Sequence, residues 1–245
     1  MKLLLDGDLF CYRCAASAET THDGIAFGYM EQLLDDCIDK LEADSFQFYL
    51  TGPTNFRFQV YPEYKANRLD TPKPRHLASC RDYLSTKYKA IMSDGCEADD
   101  LMGIAQCAES AEEPTTIVSL DKDLLQIPGR HYSWHIEGGK PDKRWVKEAK
   151  LQEVSKIEGL KWFYTQMITG DVSDNIKGVK GIGKVGAARM LSDPELTEND
   201  MFEIVRDAYS NDMEMLMNGD CLWIMRNPNE PFSKTEYGQI LENSI

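Results

Sequence analysis

Nine carboxylates fall in four short clusters along this chain: Asp6 and Asp8; Glu97, Asp99 and Asp100; Asp121 and Asp123; Asp171 and Asp174. Oxygen-only donor sets of this kind suit hard divalent cations such as Mg²⁺ or Mn²⁺. Two such ions about 4 Å apart can activate a water and stabilise the leaving oxygen of a phosphodiester. Taken singly, each acid has an ordinary role as a helix cap, a first-turn acid or a solvated turn residue. Four clusters on four separate element ends favour the metal reading.

The last pair runs directly into a glycine-rich turn, GDVSDNIKGVKGIGKVGAARML, residues 170–191. Its candidate phosphate-binding residues are Lys177, Gly178, Lys180, Gly181, Gly183, Lys184 and Arg189. GIGKVG is a literal GxGxxG, but a dinucleotide site needs a buried strand immediately before it. Here the preceding residues are polar and charged. The turn reads instead as a helix–hairpin–helix type element, whose backbone amides hold phosphates without reading sequence.

The formal net charge of −14 at first argues against a nucleic-acid partner. Its distribution reverses that argument. Residues 56–89 carry eight Lys/Arg against three acids, and residues 175–192 carry four Lys/Arg and no acid. Residues 193–220 carry nine acids and one arginine, so much of the negative charge sits near the carboxyl end. Local basic patches decide phosphate binding more than the sum does.

These residues need elements to position them. Lys2–Leu5, Phe46–Leu50, Thr115–Ser119 and His131–Ile136 read as strands, and the first and third end in acids. Leu9–Ala18, Tyr29–Leu41, His76–Tyr88 and Ala98–Ala108 read as helices, with a loop or irregular arch over Tyr61–Pro74. The alternation predicts an α/β fold with a mostly parallel central sheet flanked by helices. The carboxyl edge of such a sheet gathers binding residues, which would bring the acids together. Composition changes after Gly138–Asp142. The expected organisation is an α/β core over residues 1–147, with a short arch near 61–92. Residues 148–245 read as a helical region holding the duplex-binding turn at 176–191 and acidic carboxy-terminal helices.

Several classes are excluded. No run approaches the roughly 20 apolar residues of a membrane span, so a soluble, cytoplasmic protein is expected. Seven scattered cysteines without a secretory leader do not suggest disulfides, and Cys11 with Cys14 reads as helix core rather than half a zinc site. His22, His76, His131 and His135 form no ligand pattern. Neither an ATP-binding P-loop nor a nucleophile elbow is present. Met213, Met215, Leu216 and Met217 read as helix core.

In their order along the chain, DGD (6–8), NFRF…YPEYKANR (55–68), EADD (97–100), DKD (121–123) and GDVSDNIKGVKGIG (170–183) resemble the flap endonuclease and 5′-to-3′ exonuclease family in its short bacteriophage form. The resemblance extends to about residue 192. It implies a PIN-like nuclease core joined to a helix-three-turn-helix that holds duplex DNA. It implies two Mg²⁺ or Mn²⁺ held by Asp6, Glu97, Asp99, Asp100, Asp121, Asp123, Asp171 and Asp174, some through water, and K⁺ at the glycine turn. Lys65 and Arg68 match a basic pair that grips the scissile phosphate, and Arg13 matches a basic residue on the helix after strand one. The implied activity is 5′-3′ exonuclease or 5′ flap endonuclease, releasing 5′-phosphorylated products in phage replication or primer removal. Its partner would be duplex DNA with a 5′ end or flap, or an RNA–DNA hybrid, met by a monomer in the host cytoplasm.

Two departures stand out. The family commonly has an acid at the end of strand two, where this chain has Thr51 and Gly52; Asp8 is a candidate to compensate. The segment between Lys65 and Glu97 is also short, which would favour trimming over precise flap cleavage. The rival readings are a PIN-like ribonuclease and a non-catalytic DNA-structure-binding protein.

Overall fold

The computed structural model describes residues 1–108, 113–139 and 143–245. Part of the composition change at 138–142 therefore lies outside the described residues. The centre is a six-stranded sheet built on β1 (Lys2–Asp6), whose apolar run Leu3–Leu5 is buried on both faces. β1 pairs in parallel with β2 (Ser45–Leu50) on one side and β4 (Thr115–Val118) on the other. β3 (Ile91–Met92) extends the sheet beyond β2, and β5 (Gly129–Ser133) extends it beyond β4, both in parallel. The α/β fold with a mostly parallel sheet is as expected.

Strand β8 (Lys150–Val154) pairs antiparallel with β5 and closes that edge. It follows a short hairpin of β6 (Ile136–Gly138) and β7 (Trp145–Lys147). The expectation that residues 148–245 are helical is corrected here, because the sheet continues past residue 147. KLQEV reads poorly as a strand because it lies at an edge and leaves Leu151 half exposed. The remainder, from α6 (Lys156–Thr169) onward, is largely helical.

Helices cover both faces. On one, α1 (Gly7–Ser17), α2 (Asp23–Leu41) and α4 (Leu77–Lys87) bury Phe10, Cys11, Cys14, Met30, Leu34, Cys80 and Leu84. Cys11 and Cys14 are thus core residues, as their spacing suggested. On the other face, α5 (Ala98–Cys107) packs Ala98 and Met102 against Leu4 and Ile117. A second core joins α6 to α7 (Lys184–Met190), α8 (Glu198–Ala208), α9 (Asp212–Leu222) and α10 (Glu236–Glu242). Met215 is fully buried there, whereas Met213 is 63% exposed and is not core. Among the described residues, no helix is long and apolar enough to cross a membrane.

Candidate active site

The parallel register brings the carboxyl ends of β1 and β4 side by side, and the acids collect along this edge. Asp6 ends β1 and caps α1, accepting from the Leu9 N–H at 3.0 Å and the Ser119 hydroxyl at 2.6 Å. Burial pushes its carboxyl up to about 7, helped by Asp8 and Asp121. Asp99, in the first turn of α5, is held well above the carboxylate range by burial, with Asp6, Asp121 and Glu97 adding repulsion. Asp123 is pushed up to about 8 by burial and by Asp121, Asp171 and Asp174, although Gln166 donates to it at 2.7 Å. A small cavity of about 20 Å³, room for a single water or ion, is lined by Glu97, Asp99, Asp123, Asp171 and Asp174.

The basic pair seals this cluster. Lys65 donates to Glu97 at 2.6 Å and lies 3.7 Å from Asp174. Burial opposes its charge, but Glu97 and Asp174 outweigh that and hold the ammonium above its usual range. Arg68 pairs with Asp174 and donates through Nε to the Ser173 carbonyl at 2.7 Å. The Tyr64 hydroxyl lies 3.1 Å from Glu97 and 2.9 Å from Asp174, so the two carboxylates share its single proton. The Lys65 backbone sits in the left-handed region at φ 56°, and its N–H reaches the Asp174 carbonyl at 3.0 Å. A non-glycine residue held there is uncommon and marks a position fixed by its surroundings. The arch base is thereby clamped to the last acid pair.

Two of the nine acids do other work. Asp100 is fully buried and receives both guanidinium arms of Arg57, at 2.6 and 2.9 Å. It also accepts the N–H groups of Glu97 and Met225. Arg57 and these amides keep its carboxyl low against the effect of burial. With all its acceptor positions taken, Asp100 is a structural carboxylate, and its reading as a metal acid is corrected. Asp8, the candidate to compensate for the gap at Thr51, accepts the Thr51 N–H at 2.8 Å through one oxygen, and its other oxygen pairs with Arg81 of α4. Sequence reasoning missed both arginines because their partners lie 43 and 73 residues away. Arg13 stands exposed on α1.

Asp174 sits in the turn of a tiny hairpin of β9 (Gly170–Asp171) and β10 (Ile176–Lys177). A side chain on Gly178 would lie 2.3 Å from the Gly170 nitrogen and the Ile168 carbonyl, so only glycine fits this approach. Gly181 adopts φ 84° and, with Gly183, faces open space; Lys177, Lys180, Lys184 and Arg189 are exposed around them. α6, the hairpin, the glycine turn and α7 thus join the acids to an exposed basic surface.

The 5′-3′ exonuclease, N-terminal resolvase-like domain family matches residues 1–156. The chain belongs to this 5′-3′ exonuclease family. Similar curated proteins include the thermostable DNA polymerases I of Thermus filiformis, 32% identical over 206 residues, and Thermus aquaticus, 33% identical over 202. These matches cover 80% and 78% of this chain but 24% of each polymerase. The exonuclease fold also resembles that of a bacteriophage T5 protein co-crystallised with metal ions, at TM-score 0.61 and 15% identity over 99% of this chain and 96% of that one. A T5 flap endonuclease crystallised with DNA and metal ions gives TM-score 0.56 at 13% identity over 99% and 98%.

Among the described residues, no three histidine, cysteine or carboxylate groups stand close enough to hold an ion as they are placed. Lys65 and Arg68 take up the oxygens of Glu97 and Asp174 instead. The donor chemistry nevertheless fits a hard cation, because Asp6 is buried, Asp99 and Asp123 are half-buried, and each is repelled by neighbouring carboxylates. This has a thermal consequence. Asp6 and Asp123 titrate above the ordinary 3.8, so the folded metal-free chain binds more protons than the unfolded one. Their contribution to stability is complete below about pH 4 and is lost as pH rises through about 7 to 8. Mg²⁺ needs these groups deprotonated. It should therefore raise Tm clearly at about pH 8 and little at about pH 5. A thermal scan with equal Mg²⁺ effects at both values would contradict this.

Proposed function

We propose that this chain is a divalent-metal-dependent 5′-3′ exonuclease and 5′ flap endonuclease of the short bacteriophage form, releasing 5′-phosphorylated products from duplex DNA. The observation that carries the reading is the join at 170–191, where the last acids continue into an exposed glycine turn while Lys65 and Arg68 close over them. The short phage form rests on the sequence resemblance. DNA and metal in the T5 structures support the partner and the cofactor class by analogy.

Mg²⁺ or Mn²⁺, two in the family pattern, would be held by Glu97, Asp99, Asp121, Asp123, Asp171 and Asp174, with Asp6 orienting from beneath. Such ions supply an activated water and neutralise charge on the leaving oxygen. The remaining steps belong to the protein. Lys65 and Arg68 are the fixed cations that receive the scissile phosphate, exchanging Glu97 and Asp174 for phosphate oxygens as substrate enters. Cations placed before charge develops stabilise the transition state without reorganisation. The amides at Gly181 and Gly183, with Lys180 and Lys184, hold the duplex by its backbone, and K⁺ at this turn would add to that grip. Arg13, exposed on α1, would meet the same strand.

End-labelled duplex DNA bearing a 5′ flap should be cut in Mg²⁺ and left intact in EDTA, with 5′-phosphate on the products. No metal-dependent cutting would sink the proposal. Replacing both Lys180 and Lys184 by alanine removes two phosphate contacts. The slope of log K against log salt should then fall in magnitude by about 2, with kcat on saturating substrate little changed. An unaltered slope would remove the turn from the DNA interface.

A further inference from the structure

The sheet face beneath β4, β5 and β8 is polar where a covered sheet is normally apolar. Register sets Ile117, His131 and Gln152 in one rung. Strand alternation places Ser119, Ser133 and Lys150 on the same face one rung on. With Trp162 of α6, this face lines a cavity of about 280 Å³. That is close to the lower end of small-molecule sites, roughly 300 Å³. It is room for one nucleotide and not for a duplex.

The lining has the character of a recognition site. The Trp162 indole N–H is buried with no hydrogen-bond partner. A buried donor left unpaired costs stability until an acceptor arrives. Burial keeps His131 neutral, and its Nε2 lies 2.7 Å from the Ile127 carbonyl, which leaves Nδ1 as an acceptor. Leu120, Leu125 and the Trp162 ring supply apolar wall, while Lys122, Lys147 and Lys150 supply positive charge.

The cavity borders the acids through Ser119 and Asp121. Ser119 lines it and also donates to Asp6 and accepts from the Asp121 N–H at 2.9 Å. Asp123 feels both Asp121, on this side, and Asp171, on the side of the glycine turn. A strand crossing the acids from the glycine turn would reach this cavity next.

We propose that the cavity is a mononucleotide subsite, taking the nucleotide that adjoins the cut phosphate on the side away from the glycine turn. Its base lies against Leu120, Leu125 and Trp162, its polar edge meets the indole N–H and His131, and its phosphate meets the lysines. The assignment to a cut strand rests on the nuclease reading, whereas the binding itself does not.

The test uses the full chain labelled with ¹⁵N at tryptophan indoles, titrated with deoxyadenosine 5′-monophosphate in EDTA. The Trp162 resonance, identified by its loss in Trp162→Phe, should move and saturate by about 10 mM, with Trp145 and Trp223 unmoved. Lys147→Ala/Lys150→Ala should weaken binding by about tenfold or more, the effect of removing a charge-assisted hydrogen bond to phosphate. An unmoved Trp162 resonance overturns the subsite, and so does equal affinity in the lysine variant. Inorganic phosphate binding as tightly as the nucleotide overturns the assignment to a nucleotide. Because EDTA removes metal from the acids, a Trp162 shift in a chain that cuts no DNA would defeat the nuclease reading and leave the subsite standing.

Discussion

Asp100→Ala should weaken the fold itself rather than merely silence the site, with an expected loss of about 3–5 kcal/mol in denaturant titrations. The reason is Arg57. Its guanidinium is 2% exposed and would be left as an uncompensated buried charge. That cost is a large share of the roughly 5–15 kcal/mol that stabilises a typical domain. Arg57→Met/Asp100→Leu should recover part of the loss, since replacing both partners leaves no naked charge. Recovery stays incomplete because the Cys221 and Trp223 carbonyls also lose their donors. A fully stable Asp100→Ala chain with weakened Mg²⁺ affinity would restore Asp100 to the metal acids.

Asp171→Asn should do the opposite, abolishing activity while the fold persists. Asp171 accepts the Ser173 N–H at 2.7 Å and the Ser173 hydroxyl at 2.6 Å through a single oxygen, which asparagine retains. What disappears is a negative charge beside Asp123. Losses of about 10–100-fold follow removal of mere supporting groups at metal sites, so flap cutting should fall by at least about 100-fold. The Tm in EDTA at about pH 8 should hold or rise, because repulsion on Asp123 is relieved. Near-normal cutting by Asp171→Asn would place the chemistry elsewhere.

Much of the architecture could be read from local pattern. LLL (3–5) and IV (117–118) are apolar stretches followed by polar residues, and both lie in central strands whose carboxyl ends carry Asp6 and Ser119. β8 escaped because edge strands lack that continuous apolar signal, and KLQEV has two charges in five residues. The candidate site was legible as a set of acids but not as a division of labour. Asp99 and Asp100 are adjacent and alike in sequence. One lines the cavity and the other faces Arg57, a distinction that depends on contacts 43 residues away. Likewise the gap at Thr51–Gly52 was visible, but not that Arg81 would arrive from α4 to neutralise Asp8.

The seat of Arg57 also bears on how the protein is made. Its Nε bonds the carbonyl of Cys221, 164 residues further along. Contacts of such separation form late, after long loop closure. On a ribosome, the platform under Glu97 and Asp99 would stay open until the segment around Cys221 has emerged. We expect nascent chains arrested before residue 221 to be unable to cut DNA, even though every acid of the centre is already present. Arrested chains that cut as well as released protein would disprove this. Cutting would then begin only once the segment around Cys221 has left the ribosome, well after the last acid of the centre, Asp174, has been made.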